Sequence, residues 1–482
     1  MLAMLLYVVT LLLAISVSLW IYRGRGRGRG REGGSLSLPP GSKGYPLIGE
    51  TLQLIIPSYS LDLPHFITTR TKRYGPVFRT HLVGRPTVVS ADPDFNRYVI
   101  QQEGKAVEMW YLDTFSKLFA HDGDGRTNEA GYVHKYIRNA TLGHFGSDAL
   151  RQRLLPLLQH SAAEALRTWS TQPSTEVKNA VLTMVVDSAA KQLFGYDSDT
   201  VKEKIASKFI HLLEGFLSFP INIPGTAYHK CLKNRKAVTD VIRATIKERL
   251  STKYKCDRAD FLDQLLKDQA IEKFLSEDII INIVFGLLLA ASASTAVALA
   301  LVLKFLSENH RALEELKVEH ETIMKNRENP GSPLTWNEVK SMTFTLDVIN
   351  ESLRLGNPSF GLLRRALQDL RINRYTIPAG WTIMLITSAS QYNPTIFKDP
   401  LSFNPWRWRD LEPDVISKNF MPFGGGTRQC AGAEFSKVLM AIFLHVLVTK
   451  YRWKKIKGGN IARTPIVVFP NGLHIKVVEQ NS

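Results

Sequence analysis

The sequence predicts a mainly α protein with a small β-rich region, on three observations. Apolar residues recur at helical period through most of the chain. One segment, from Ser276 to about Asn309, is apolar nearly all round and so belongs in the middle of a large folded body. Around 74–89 and 370–381, β-branched runs are broken by Gly or Pro in the manner of strands and turns. At 482 residues and 44% hydrophobic the chain has length for up to about three average domains, yet one large domain accommodates it. One domain is expected over 45–482. The cysteines, Cys231, Cys256 and Cys430, are odd in number and widely spaced, which gives neither a disulfide framework nor a zinc pattern. A reducing compartment follows. The net charge of +17 suits nucleic acid, an anionic membrane surface or an acidic protein partner, and its location has to decide.

Residues 1–22 read as a membrane anchor. From Leu2 to Tyr22 only Thr10, Ser16 and Ser18 interrupt an apolar run that, at ~1.5 Å per residue, crosses a ~30 Å hydrocarbon core. No Lys or Arg precedes position 23, which speaks against a cleaved signal peptide. Arg23, Arg25, Arg27, Arg29 and Arg31 then alternate with Gly and hold the following domain on the cytosolic side. Arg-Gly repeats also occur in nucleic-acid-binding segments. Placed against a span they read as stop-transfer, and no nucleic-acid partner is expected. This linker, 23–44, ends in the stiff Pro39-Pro40-Gly41, after which Tyr45-Pro46-Leu47-Ile48-Gly49 opens the domain.

Tyr74 to Val89, broken at Gly84, predicts a hairpin of a small sheet. His134 and Arg138, four apart, share one helix face. Asn139-Ala140-Thr141 and Asn350-Glu351-Ser352 match a glycosylation sequon, but a cytosolic domain never meets the transferase. Ser276-Glu277-Asp278 caps the long apolar helix, which carries Ala290-Ala291-Ser292-Ala293-Ser294-Thr295. Thr335-x-x-Glu338 is a capping box, expected to open a helix that carries Glu351 and Arg354 and stops before Pro358. Leu370-Arg-Ile and Tyr375 to Trp381 read as strands around a Pro/Gly turn.

The densest pattern is Phe423-Gly-Gly-Gly-Thr-Arg-Gln-Cys430-Ala-Gly432. A thiolate serves as axial ligand of heme iron when its sulfur accepts backbone N–H bonds in a water-poor pocket, and glycines allow that close approach. The alternative is a Gly-rich turn with a buried structural Cys. With Phe423, Gly426, Arg428, Cys430 and Gly432 in place, the loop resembles the heme-binding signature of the cytochrome P-450 superfamily. Hinge, long central helix, Glu351-x-x-Arg354, the Pro405-x-Arg407 meander and the Cys loop also stand in family order across 39–482. The texture of 222–231, 334–338 and 435–437 resembles plant family 87, in the clan that oxidises sterols and triterpenoids.

That resemblance implies the cytochrome P-450 fold with an N-terminal transmembrane helix, in the endoplasmic reticulum membrane. It implies heme b on Cys430, O2, and electrons from NADPH through a separate cytochrome P-450 reductase, with Lys135, Lys418 and Lys437 as docking cations. No Gly-rich dinucleotide fingerprint stands in a strand-to-helix context that would let the chain use NADPH itself. By the same resemblance His134, Arg138, Arg364 and Arg428 hold the heme propionates beside Phe423, and Glu351, Arg354 and Arg407 form a buried ion network.

The central helix departs from the family pattern at the acid, where Ala293 stands. Either Ser294 or Thr295 is the catalytic alcohol; the register is open by one residue. Substrate hydroxyls or water then deliver protons, or the site favours C–C cleavage, or small side chains make room for a wide substrate. Ala290, Ala291 and Ala293 are expected to roof the pocket, with Phe216, Phe219 and 357–363 as further walls. Side-chain oxidation and cleavage of a sterol to a pregnane of pregnenolone type is the first expectation. Ring hydroxylation of a triterpenoid and a reductase-independent isomerase or dehydratase are the alternatives.

Overall fold

The computed structural model describes residues 14–15, 17, 37–112, 131–201, 204–216, 218, 220–251, 260–329, 331–359 and 361–480. The expected anchor, apart from residues 14, 15 and 17, and positions 23–36 of the arginine linker lie outside these residues. At Ser37 the chain is already against the sheet, where its carbonyl accepts from Thr376 N at 2.9 Å, and Pro40 O accepts from Arg79 N at 2.8 Å. Gly41 (φ +157°) passes so close to Arg79 that a Cβ would fall 1.9 Å from its carbonyl oxygen. The hinge needs a glycine there.

Strands β1 (Val77–Leu82) and β2 (Arg85–Ser90) form the predicted hairpin. Val83 and Gly84 both take positive φ, +52° and +72°, as a tight two-residue turn requires. Helix α1 (Pro93–Gln101) follows, capped by Asp92 accepting from Phe95 N, and leads to β3 (Val107–Met109). After α2 (Tyr132–Phe145) come α3 (Leu155–Thr171), α4 (Val177–Phe194), α5 (Ile205–Phe216) and α6 (Ala227–Ser251). The centre is α7 (Glu277–Glu308), which starts where Ser276 accepts from Ile279 N. Arg243 of α6 pairs with both first-turn acids, Glu277 and Asp278, at 3.0 Å each. Although α7 is long and apolar enough to cross a membrane, it is mostly buried against α4, α6 and α9 (Thr343–Gly356). Burial inside protein gives its apolar circumference a partner, so it is a core helix.

Helix α8 (His310–Lys325) precedes α9, and here the structure corrects the expectation. The Thr335–Glu338 capping box is present but opens a separate short helix, Trp336–Ser341. Helix α9 starts afresh because Glu319 of α8 accepts from Phe344 N (2.7 Å) and Thr345 N (3.0 Å), capping it from outside. Strands β4 (Leu362–Ala366), β5 (Leu370–Ile372), β6 (Tyr375–Ile377) and β7 (Thr382–Leu385) follow. β5 and β6 turn at Asn373 (φ +51°), and the Pro378-Ala379-Gly380 turn leads into β7 instead. The main sheet runs β1-β2-β7-β4-β3, antiparallel except for the β2–β7 pair. Helix α10 (Ala433–Lys450) leaves the Cys loop and is buried along most of its length in the helical core.

Candidate active site

The loop before α10 is a glycine hinge wrapped around one sulfur. Gly424 (φ +69°) and Gly426 (φ +66°) adopt conformations that L side chains rarely take, and a Cβ on Gly426 would sit 2.9 Å from Ile100. Cys430 N donates to Phe423 O at 2.9 Å and closes the loop. The Cys430 side chain faces a cavity of about 1220 Å³ that opens to the surface. It is exposed to that cavity while the surrounding protein still desolvates it. Burial therefore raises the thiol above its usual range, opposed by the Gly432 N–H and the charge of Arg138. An anionic sulfur here calls for a cation above it. Cys231 cannot take this part, since it is fully buried against Gly215 and burial pushes its thiol up to about 11. Cys256 lies outside the described residues.

Opposite the sulfur runs α7. Ala290, Ala291, Ser294, Thr295 and Ala298 line the cavity, spaced three and four apart on one helix face. Ala293 is not among them: one residue of offset turns it off the cavity wall, so it does not roof the pocket as expected. Both candidate alcohols are in the wall. Ser294 presents its surface to the cavity with Oγ 3.3 Å from Ala290 O, whereas Thr295 is 4% exposed. The expected wall of Phe219 and the Phe216 side chain fall outside the described residues. From 357–363, Pro358, Ser359 and Gly361 to Leu363 line the cavity.

At the cavity edge stand Arg364 and Arg428, together with Phe423. Sequence reasoning missed two residues beside them. Glu103 pairs with both arginines, and Tyr111, in the wall, has its hydroxyl pKa raised chiefly by burial. His134 and Arg138 stand beside the wall and not in it. Arg138 donates to Gln429 O at 2.6 Å and so ties α2 to the Cys loop. His134 is held below its ordinary pKa by burial, then by Arg428 and Arg138. Of the proposed docking cations, Lys135 and Lys418 are exposed, Lys418 bonded to Asp414 at 2.9 Å. Lys437 is half-buried over the Phe423 ring, 5.7 Å from its centroid, which removes it from the free surface.

Behind the loop, Glu351 and Arg354 are fully buried and doubly bonded at 2.9 Å. Glu351 also accepts from Arg407 Nε and Asn404 N at 3.0 Å and from Trp408 Nε1 at 3.2 Å. Backbone carbonyls take the remaining guanidinium donors: Gln391 and Pro400 from Arg354, Lys398 and Ser402 from Arg407. This knot holds the meander against α9.

The residues fit a heme. One soft sulfur faces small side chains across a large slot, and two guanidiniums wait at its edge. Among the described residues no group of three or more His, Cys, Asp or Glu side chains is placed to hold a metal ion. When bound, a heme with a thiolate ligand supplies activation of O2.

Comparison with known proteins agrees. The cytochrome P-450 family model matches residues 39–474. Cucurbitadienol 11-hydroxylase of Siraitia grosvenorii is 53% identical over 91% of this chain and 92% of its own length. Beta-amyrin 16-alpha-hydroxylase of Maesa lanceolata is 49% identical over 92% and 93%. Cytochrome P-450 87A3 of Oryza sativa subsp. japonica is 47% identical over 92% and 86%. The retinoic acid bound cyanobacterial CYP120A1 superposes with a TM-score of 0.80 at 24% identity, over 93% of this chain and all of that one, and shows the fold. With Cys430 under a wide cavity and these relatives in family 87, the chain belongs to the cytochrome P-450 family, as a heme-thiolate monooxygenase that takes its electrons from a separate reductase.

Proposed function

We propose that the chain hydroxylates a ring carbon of a triterpenoid. The cavity over Cys430 carries this reading: about 1220 Å³, lined mainly by apolar side chains and widened by the small residues of α7. That volume has to hold the heme as well as the substrate, and its apolar lining suits a broad, rigid, nearly all-apolar body beside the cofactor. Two relatives at 49–53% identity are named for hydroxylating such scaffolds, which favours this reading over sterol side-chain cleavage. An isomerase or dehydratase working without reductase has no support among these hydroxylases.

Ser294 is the better placed alcohol, because it opens to the cavity. Its hydroxyl, bonded back to Ala290 O, can order water at the reacting face without a neighbouring carboxylate. Substrate access runs through lipid in this reading. Exposed Leu47, Ile48, Leu52, Ile55, Ile56 and Tyr59 crowd one side of the domain, and Thr51, Ile55 and Val83 also line the cavity. An anchor over 1–22 in the endoplasmic reticulum membrane would hold that side against the bilayer, with NADPH-cytochrome P-450 reductase approaching the Cys430 side.

The test is incubation of membranes holding the protein and a plant reductase with cucurbitadienol, β-amyrin, cholesterol and phytosterols, products being read by mass. One added oxygen on a triterpenoid supports the proposal. A pregnane from a sterol, with triterpenoids untouched, overturns it.

A further inference from the structure

Glu103 belongs neither to the Cys loop nor to the central helix. It follows α1, is bridged to Val107, and accepts from Met109 N at 3.2 Å, so the two ends of β3 fix its place. Its side chain is 5% exposed and lies between those of Arg364 (3%) and Arg428 (8%). Oε1 accepts from Arg428 Nε at 3.1 Å, whereas Oε2 and Arg364 Nε, 2.6 Å apart, form a buried ion pair without hydrogen-bond geometry. Both contacts use the inner nitrogen of the guanidinium. Arg364 Nη1 turns back to Leu363 O at 2.9 Å. Among the described residues, Arg364 Nη2 and both Nη atoms of Arg428 have no hydrogen-bond acceptor, although both side chains line the cavity. One carboxylate facing two buried guanidiniums leaves a positive charge uncompensated, which is costly unless a further anion completes the group.

We propose that Glu103 is a positioning residue for the heme: gripping Arg364 and Arg428 by their Nε atoms, it holds their outer Nη ends ready for the cofactor's carboxylates. Without it the two like charges would repel, and each long side chain would be free to leave the edge. With it, the pair that receives the propionates exists before the heme arrives. The inference rests on the family assignment and is independent of the substrate.

Purified full-length holoenzyme carrying Glu103→Gln or Glu103→Asp decides the matter through heme transfer to excess apomyoglobin and the ferric/ferrous midpoint potential. Glu103→Gln should lose heme about 10-fold faster or more, the scale on which groups supporting a metal ligand set act. Its potential should rise, because a negative charge that opposed reduction is gone. Glu103→Asp keeps the charge with a shorter reach; its potential should stay at the wild-type value and its heme loss should fall between the other two. Wild-type heme retention and potential in Glu103→Gln overturn the proposal, and so does slower heme loss. If Glu103→Gln does not accumulate, wild-type heme retention in Glu103→Asp overturns it.

Discussion

Two carboxylates in this protein each sit between two arginines, and the two clusters are finished differently. Around Glu351, Arg354 and Arg407 donate to the carboxylate, and their remaining nitrogens reach carbonyls of the meander. Around Glu103, Arg364 and Arg428 each meet the carboxylate through Nε alone, Arg364 Nη1 also bonds Leu363 O, and both side chains line the cavity. Burial is similar, and so is the ion count. What differs is whether protein or ligand completes the set. A closed cluster fixes the fold, while an open one makes a place for something to bind.

The comparison breaks most visibly at the closed cluster. Glu351→Gln or Arg354→Met should strip the meander of its anchor at a cost of about 3–5 kcal/mol, since the surviving partner is left buried and uncompensated. Recovery of folded, heme-loaded protein should collapse, whereas Glu103→Gln should still fold. If Glu351 variants accumulate with full heme and an unchanged thermal midpoint, the two clusters do not differ as described.

The cavity face of α7 offers a sharper cut. Ser294→Ala should lower product formed per NADPH roughly 10-fold, less than the 10²–10⁴ typical of a direct proton donor because water still enters. Thr295→Ala should cost less, as Thr295 is nearly covered. A larger loss at Thr295, measured by product and peroxide yields, would assign the alcohol to Thr295.

Acid stability tests the helices behind the loop. His320 and His445 meet Nδ1 to Nδ1 at 3.0 Å, and His320 Nε2 lies 3.0 Å from Thr345 Oγ1. Burial, with His445 beside it, depresses His320 to about 3; burial, then Arg327, depresses His445 to about 4, with Glu338 opposing. Both are depressed from near 6.5, so the unfolded chain binds more protons below that pH. Their contribution is present above pH 6.5 and is lost as pH falls, over the range down to about 4 for His445 and about 3 for His320. The thermal midpoint should therefore drop from pH 7 to 5, and His320→Gln should flatten that drop. An equal slope in the variant would remove the pair from the account. The smallest effect is expected at Ala293→Glu. Because Ala293 is off the cavity wall, substrate affinity by spectral titration should stay within about 2-fold; a large loss would return it to the wall.

How legible each part was follows from how local its cause is. The Cys430 loop is a short-range pattern in which residue type and spacing carry the chemistry, whereas Glu351-x-x-Arg354 is a spacing found on many surface helices and reads as a buried network only through the family resemblance and Arg407. Glu103 carries no such mark, since its partner Arg428 is 325 positions away and only the fold joins them. Ala293 was misplaced because one residue turns a helical side chain by about 100°, a difference that sequence with an open register does not resolve. The break before α9 was hidden for a third reason. Its cap, Glu319, comes from another helix, so the 335–356 stretch reads as unbroken.

All of this turns on Cys430 being the iron ligand that the open cluster serves. The direct measurement is the carbon monoxide difference spectrum of the reduced wild-type protein beside Cys430→Ser, with circular dichroism to show that both fold. The wild type should give the thiolate-type Soret band, and the variant should lose it with its helices intact. A wild-type band of the neutral-ligand type, or a thiolate band that survives in Cys430→Ser, would contradict the account.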